Sequence, residues 1–364
     1  MALEDAKDIL VTGGSGYLGR GIVRALLDRY PAWNITILDL QPPDEDVQNR
    51  IAAFVQADIT SEDSVKKAFA NLHPELVVHT AGIVPARTQR YSTNSRQWEK
   101  VKAINYDGTR HVVDAMLAGD CRKLVFTSSC TVVVDDLKHD YYHMDETTPL
   151  GLAHLHYGKS KGLAEQYVLS SQHQEKGLTA CALRPCTIIG PGDRAVVSIF
   201  YDCIAKRETY FIVGDGDNIY DFMYIDNAVD AHILAIENLL TTQTAAGEAM
   251  FISNQEPIYF WDFLAFVWAQ FGHVPAFRIY IPMQIAWFLG LILEMITFLT
   301  GTASTLDTGS VADGVRTQYS NNEKAQRILG YYPKVGISEG VRRACEEYKV
   351  YLTSEASKRQ SEKI

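Results

Sequence analysis

The chain has 364 residues, 47% hydrophobic and 21% charged, so it can bury a large core and is too apolar for a disordered segment. Its formal net charge of −10 argues against a nucleic-acid binder, which needs a basic stripe to displace counterions. Six scattered cysteines (Cys121, Cys130, Cys181, Cys186, Cys203 and Cys345) contain no C-x-x-C pair, so reduced, packed thiols are expected rather than disulfides or a metal site.

Met1 to Asp8 is acidic and runs straight into a strand. It does not resemble a secretory signal or transit peptide, so the catalytic body is expected in the cytosol or facing it. The apolar run Ile9-Leu10-Val11 is followed by Thr12-Gly-Gly-Ser-Gly-Tyr-Leu-Gly19 and then by the amphipathic stretch from Ile22 to Leu27. Strand, glycine-rich turn and helix follow one another without a break. Gly13, Gly16 and Gly19 have the G-x-x-G-x-x-G spacing that lets a backbone turn tightly, approach a pyrophosphate and pack a helix closely. The first amides of that helix, around Tyr17 and Leu18, then face the phosphates. A second apolar run, Ile35 to Leu38, ends at Asp39, twenty residues beyond Gly19. A carboxylate there accepts hydrogen bonds from the ribose hydroxyls. Together the two signals point to a dinucleotide.

Further along, strands are expected at Ala53–Asp58, Leu76–Gly82, Leu124–Ser129 and Thr179–Leu183, the last ending at Arg184-Pro185. Helices are expected over Ser61–Asn71, Trp98–Leu117 and Tyr157–Ser170. Strands separated by helices read as βαβ units and a parallel sheet, which binds its ligand at the carboxyl ends of the strands. Past Gly190-Pro191-Gly192-Asp193 the alternation loosens, with helices expected over 194–207, 226–240 and 259–272. The polar residues 354–364 read as a frayed, flexible tail.

Tyr157 and Lys161 are four residues apart, on one face of a helix. A phenol ionises near pH 10 in water, about three units too high for efficient acid/base work at neutrality. A neighbouring ammonium is expected to lower that value. Lys159 points elsewhere and is expected to be solvated. His139, His143, His154 and His156 fall between Ser129 and Tyr157 without a companion cysteine, and read as loop residues that shape a pocket rather than metal ligands.

This combination resembles the extended short-chain dehydrogenase/reductase family over about residues 8 to 350. The motifs that carry the likeness are Thr12 to Gly19, Asp58-Ile59, His79-Thr80-Ala81-Gly82, Ser129, Tyr157 with Lys161, Arg184-Pro185 and Asp221 to Asn227. It implies a Rossmann-type α/β fold, a doubly wound parallel sheet with a smaller C-terminal substrate lobe. The expected division is residues 1–190 for NAD, 191–353 for substrate and 354–364 for the tail. By the same likeness Tyr157 is the catalytic acid/base, Lys161 also holds the nicotinamide ribose, and Ser129 rather than Ser128 binds the reacting oxygen. Asp58, Ile59, Ala81, Gly82, Asn105 and Pro185 would join the glycine turn and Asp39 around the cofactor, with a packed polar role as the alternative for Asn105.

Relatives that act on sugar nucleotides carry an arginine just before the Asp-Phe pair, where its fork reaches a diphosphate. Here Tyr220 stands in that position, followed by Asp221-Phe222. The segment is instead similar to the 3β-hydroxysteroid dehydrogenase branch, and within it to the decarboxylating sterol-4α-carboxylate 3-dehydrogenases. That likeness implies NAD-dependent oxidation of a sterol or triterpenoid 3β-hydroxyl, with loss of carbon dioxide if the substrate bears a 4α-carboxylate. Another hydrophobic alcohol or ketone of terpenoid metabolism is the first alternative, and a non-catalytic NAD-binding sensor or scaffold the second. Ile279 to Leu299 is almost wholly apolar, interrupted by Pro282, Gln284, Gly290 and Glu294. It is expected to wall a hydrophobic substrate site, either as a core helix or as a segment dipping into a membrane surface. Family likeness places such a protein at the endoplasmic reticulum membrane on the cytosolic face, with a cytoplasmic location as the alternative. A homodimer or a place in a biosynthetic complex is left open.

Overall fold

A computed structural model describes residues 3–92, 94–300 and 306–361 of the chain. Its centre is a seven-stranded parallel sheet of β1 (Asp8–Thr12), β2 (Asn34–Asp39), β3 (Ala53–Gln56), β4 (Leu76–His79), β5 (Lys123–Thr127), β6 (Thr179–Pro185) and β7 (Ala249–Ile252). The spatial order is β7-β6-β5-β4-β1-β2-β3. Successive strands therefore leave β1 in opposite directions. Between the carboxyl ends of β1 and β4 this opens the crevice in which doubly wound sheets bind ligands.

Alternation along each strand feeds two cores. Ile9 and Val11 of β1, Ile35 and Ile37 of β2, Leu76 and Val78 of β4, and Val125 of β5 pack on one face. Leu10, Leu38, Val77, Leu124 and Phe126 pack on the other. Both faces are covered, so the strands read as continuous apolar runs. Burying each such side chain contributes roughly 1.5–3 kcal/mol. On the first face the helix Tyr17–Arg29 presents Ile22, Val23 and Leu26 to the helix Ile225–Leu240. On the second, the expected helix at 98–117 is a longer run, Ser95–Lys102 and Gly108–Ala118 joined by a π-helical turn at Ala103–Asp107. Such turns displace one residue from the regular face, and here that turn carries Asn105.

The division expected at residue 190 is not how the chain is distributed. The helix Ile225–Leu240 and β7, both beyond 190, complete the large sheet and its cover. Conversely Tyr141–Met144 leaves the first half to pair with Gln318–Ser320 in a second sheet with Ile219–Tyr220 and Ile258–Tyr259. The two halves are interleaved. The tail expected from residue 354 is helical as far as Ser361, at the end of the helix Ile337–Ser361, and residues 362–364 lie outside the described residues. Val341, Ala344, Cys345 and Tyr348 anchor that helix on an aromatic cluster.

Candidate active site

The glycine turn leaves β1 at Gly13, whose φ of +71° suits glycine, and a Cβ there would sit 2.6 Å from the Ala81 nitrogen. At Gly19 a Cβ would meet the Gly13 carbonyl oxygen at 2.1 Å. Turn, helix and the β4 end are thus pressed together as only glycine allows. The helix that follows is capped by Gly16 without a side-chain hydrogen bond, so its first amides stay available to an anion. Asp39 accepts from the Ser15 N–H at 3.1 Å and the Gln41 N–H at 3.2 Å, which hold its carboxylate at the crevice edge. Asp58 is tied to Thr60 through Oδ1, by two bonds of 2.8 Å. Gly13, Gly16, Tyr17, Leu18, Gly19, Asp39, Asp58, Ile59, Ala81, Gly82, Asn105, Ser129, Tyr157, Lys161 and Pro185 all line one cavity of about 1540 Å³. This bare-backbone cradle, with a carboxylate at its far edge, fits a nicotinamide dinucleotide.

Tyr157 enters the cavity from the first turn of the helix His156–Val168. Thr131 donates to the Ser129 oxygen through its N–H at 3.3 Å and its hydroxyl at 2.8 Å. Ser129 lines the cavity beside Tyr157, and its hydrogen-bonding favours the ionised phenol. Burial pushes the phenol up to about 12, while the Ser129 hydrogen bond and the Arg90 guanidinium pull against that rise. This corrects the expectation that Lys161 lowers the phenol. The Lys161 ammonium instead lies 4.6 Å over the Phe126 ring, beside Gly82, and burial lowers it to about 8. Lys159 extends over the Trp98 ring at 4.6 Å.

Ser128 is turned away. Its hydroxyl donates to Glu165 at 2.6 Å, and Arg184 forms a buried two-bond pair with the same carboxylate. The side chain of Asn105 accepts from the Ile83 N–H at 2.8 Å and donates to the Ile83 carbonyl at 3.0 Å and to Ser160 at 3.1 Å. Its amide therefore clamps the crevice loop to the catalytic helix, as in the packed alternative, while the residue also lines the cavity. His79, between Thr12 and Thr109, is kept neutral by burial and by Lys161, which lower it to about 3.

Two residues that sequence reasoning missed stand beside Tyr157. Arg90 makes a two-bond ion pair with Asp135, and its guanidinium carbon is 6.0 Å from the Tyr157 ring centre. Asp135 also accepts the Gly158 N–H at 2.9 Å, fixing the start of the catalytic helix. The only sequence signal was the pair Asp135-Asp136 directly after three valines, an odd place for two carboxylates. Tyr220 is buried and packs on Phe260 at 4.9 Å, and its hydroxyl donates to the Asp313 carbonyl at 3.2 Å.

The far side of the cavity is apolar, with Phe200, Phe222, Leu264, Ala286, Leu289 and Val311. Ala286 and Leu289 come from the helix Met283–Thr300, so that helix contributes to the apolar wall. Ile285, Trp287, Phe288, Ile292, Met295, Ile296 and Leu299 of that helix are exposed, as are Phe277, Ile279 and Tyr280 before it. Its one charge, Glu294, accepts from the Thr308 N–H at 2.7 Å and hydroxyl at 2.6 Å. Among the described residues no helix is long and apolar enough to cross a membrane.

The chain belongs to the 3-beta hydroxysteroid dehydrogenase/isomerase family, whose model matches residues 10–283, and it is an oxidoreductase of that type. It is similar to the decarboxylating sterol-4-alpha-carboxylate 3-dehydrogenase of Schizosaccharomyces pombe, 33% identical over 91% of this chain and 94% of the relative. The enzyme of the same name from Saccharomyces cerevisiae is 31% identical over 93% and 97% of the two chains. That from Homo sapiens is 30% identical over 95% and 89%. Among solved structures, a UDP-glucose 4-epimerase from Thermotoga maritima superposes with a TM-score of 0.71 at 24% identity, covering 94% of this chain and 99% of its own. That likeness is one of fold.

Proposed function

We propose that the chain catalyses the NAD-dependent oxidation of the 3β-hydroxyl of a 4α-carboxysterol, with loss of carbon dioxide. The observation that carries this reading is that Ser129, Tyr157 and Lys161 line one cavity with the glycine cradle on one side and an apolar wall on the other. Gly13, Gly16, Gly19 and the helix N-terminus would hold the pyrophosphate, Asp39 the adenosine ribose, and Lys161 the nicotinamide ribose. Bound there, the dinucleotide supplies the hydride acceptor. Tyr157 takes the proton of the 3β-hydroxyl, and Ser129 donates to that oxygen and keeps it in place. Oxidation creates a ketone beside the carboxylate. When the C4–carboxyl bond breaks, its electron pair moves into that ketone, so carbon dioxide leaves without a metal.

Buried Tyr220, in the position where sugar-nucleotide enzymes place an arginine, supports an apolar ring over a diphosphate. The exposed apolar face of Met283–Thr300 supports docking on the cytosolic surface of the endoplasmic reticulum membrane, with that helix between lipid and cavity. Incubation with NAD and either 3β-hydroxysterols or UDP-sugars tests the choice. NADH should form with sterols alone, and saturable UDP-glucose binding would refute it.

A further inference from the structure

Arg90 is the unexplained cation of the cavity. Among the described residues lining it, the other cations are Lys161 and Arg194. Lys161 lies on the glycine-turn side, over Phe126 and beside Gly82. Arg194 is paired with Glu347 and sits 4.0 Å over the Tyr351 ring. Arg90 alone approaches the face of Tyr157, at 6.0 Å from the ring centre.

We propose that Arg90 holds the carboxylate of the substrate and so makes the enzyme selective for acids. The inference rests on the functional reading above. In a 4-carboxysterol the carbon bearing the acid is bonded to the carbon being oxidised. Wherever the 3-oxygen meets Tyr157, the carboxylate must lie beside it. A guanidinium has five N–H donors, of which Asp135 takes two through the end of the fork. The Arg90 side chain is 18% exposed and Asp135 only 2%, and both line the cavity. One carboxylate thus takes the end of the fork, and the three remaining N–H donors are left for a second.

The ion pair also suits the chemistry. A lone guanidinium would favour the bound carboxylate over the transition state in which its charge moves into the ketone. Asp135 offsets part of that charge, so Arg90 orients the acid without opposing its departure. Asp135 is fixed for this by the Gly158 N–H.

The test is the ratio of kcat/KM for a 4α-carboxysterol to that for the matching 4α-methylsterol, measured with NAD. Because Arg90 also lies over the Tyr157 ring, Arg90→Gln is expected to slow both substrates, yet to lower the ratio about ten- to a hundredfold. Arg90→Lys keeps the charge without the fork and should recover part of it. Asp135→Asn should leave the ratio unchanged or raise it. A loss in Arg90→Gln that is proportionate for the two sterols would overturn the proposal, as would a fall in the ratio for Asp135→Asn. Wild-type protein that oxidises neither sterol would instead defeat the functional reading.

Discussion

The Ser128 hydroxyl donates to Glu165 at 2.6 Å, which commits it to the buried pair with Arg184 and leaves Ser129 to Tyr157. Two adjacent serines thus have separable tasks. Ser128→Ala should cost about 1–3 kcal/mol of stability with kcat largely kept, because it removes a donor from a buried carboxylate. Ser129→Ala should lower kcat/KM about a hundredfold with little loss of stability. Denaturant titration and steady-state kinetics on the two variants separate these outcomes, and the reverse pattern would exchange the assignments.

Oxidation requires the deprotonated phenol, so kcat/KM should rise with pH. The Ser129 hydrogen bond lowers the Tyr157 pKa against burial. Removing it raises that pKa, and the rising limb of the profile for Ser129→Ala should move to higher pH. Tyr157→Phe should reduce turnover about a hundredfold or more while leaving cofactor binding near that of wild type.

Lys161 shows what function demands of stability. Burial lowers its folded-state pKa to about 8, below its ordinary value of 10.5, so the unfolded chain binds more protons between those limits. Stability from this group therefore increases as pH rises from 8 to 10.5, and its full cost is present below pH 8. Lys161→Met should abolish turnover and raise the Tm of the cofactor-free protein at pH 7 by roughly 2 °C or more. A lower Tm would mean that the ammonium stabilises the fold.

Asp39 predicts the cofactor preference. Its carboxylate would repel a ribose 2′-phosphate, and Leu40-Gln41-Pro42-Pro43 brings no arginine to hold one. NAD should exceed NADP in kcat/KM by about tenfold or more, and Asp39→Asn should narrow the gap. Preference for NADP would remove Asp39 from the ribose.

Much of this was legible in the chain. Ile9 to Gly19 and the strands that end at Asp39, His79 and Thr127, just before Gly82 and Ser129, follow from local patterns, because strand period and glycine spacing are properties of neighbouring residues. What escaped depends on distant partners. Arg90 has meaning only through Asp135, and the turn around Asn105 only through Ile83 and Ser160. The Met283–Thr300 helix read as interrupted by Glu294, yet that carboxylate turns to Thr308, so the apolar outer face carries no charge. The C-terminal segment looked like a tail because anchors such as Tyr348 lie before it on the same helix.

That outer face makes its own prediction. Wild-type protein should sediment with lipid vesicles, and replacing Trp287, Phe288 and Met295 by serine should release it. KM for membrane-bound sterol should rise while turnover of detergent-dispersed sterol changes less. Wild-type protein that stays in the supernatant would end the membrane assignment and leave the dehydrogenase intact.

The central claim is oxidation coupled to loss of the adjacent carboxyl group. Purified protein given NAD and a 4α-carboxysterol labelled in its carboxyl carbon should release labelled carbon dioxide and NADH in equal amounts, and Tyr157→Phe should release neither at an appreciable rate. Steady NADH formation with the label retained in the sterol would contradict it.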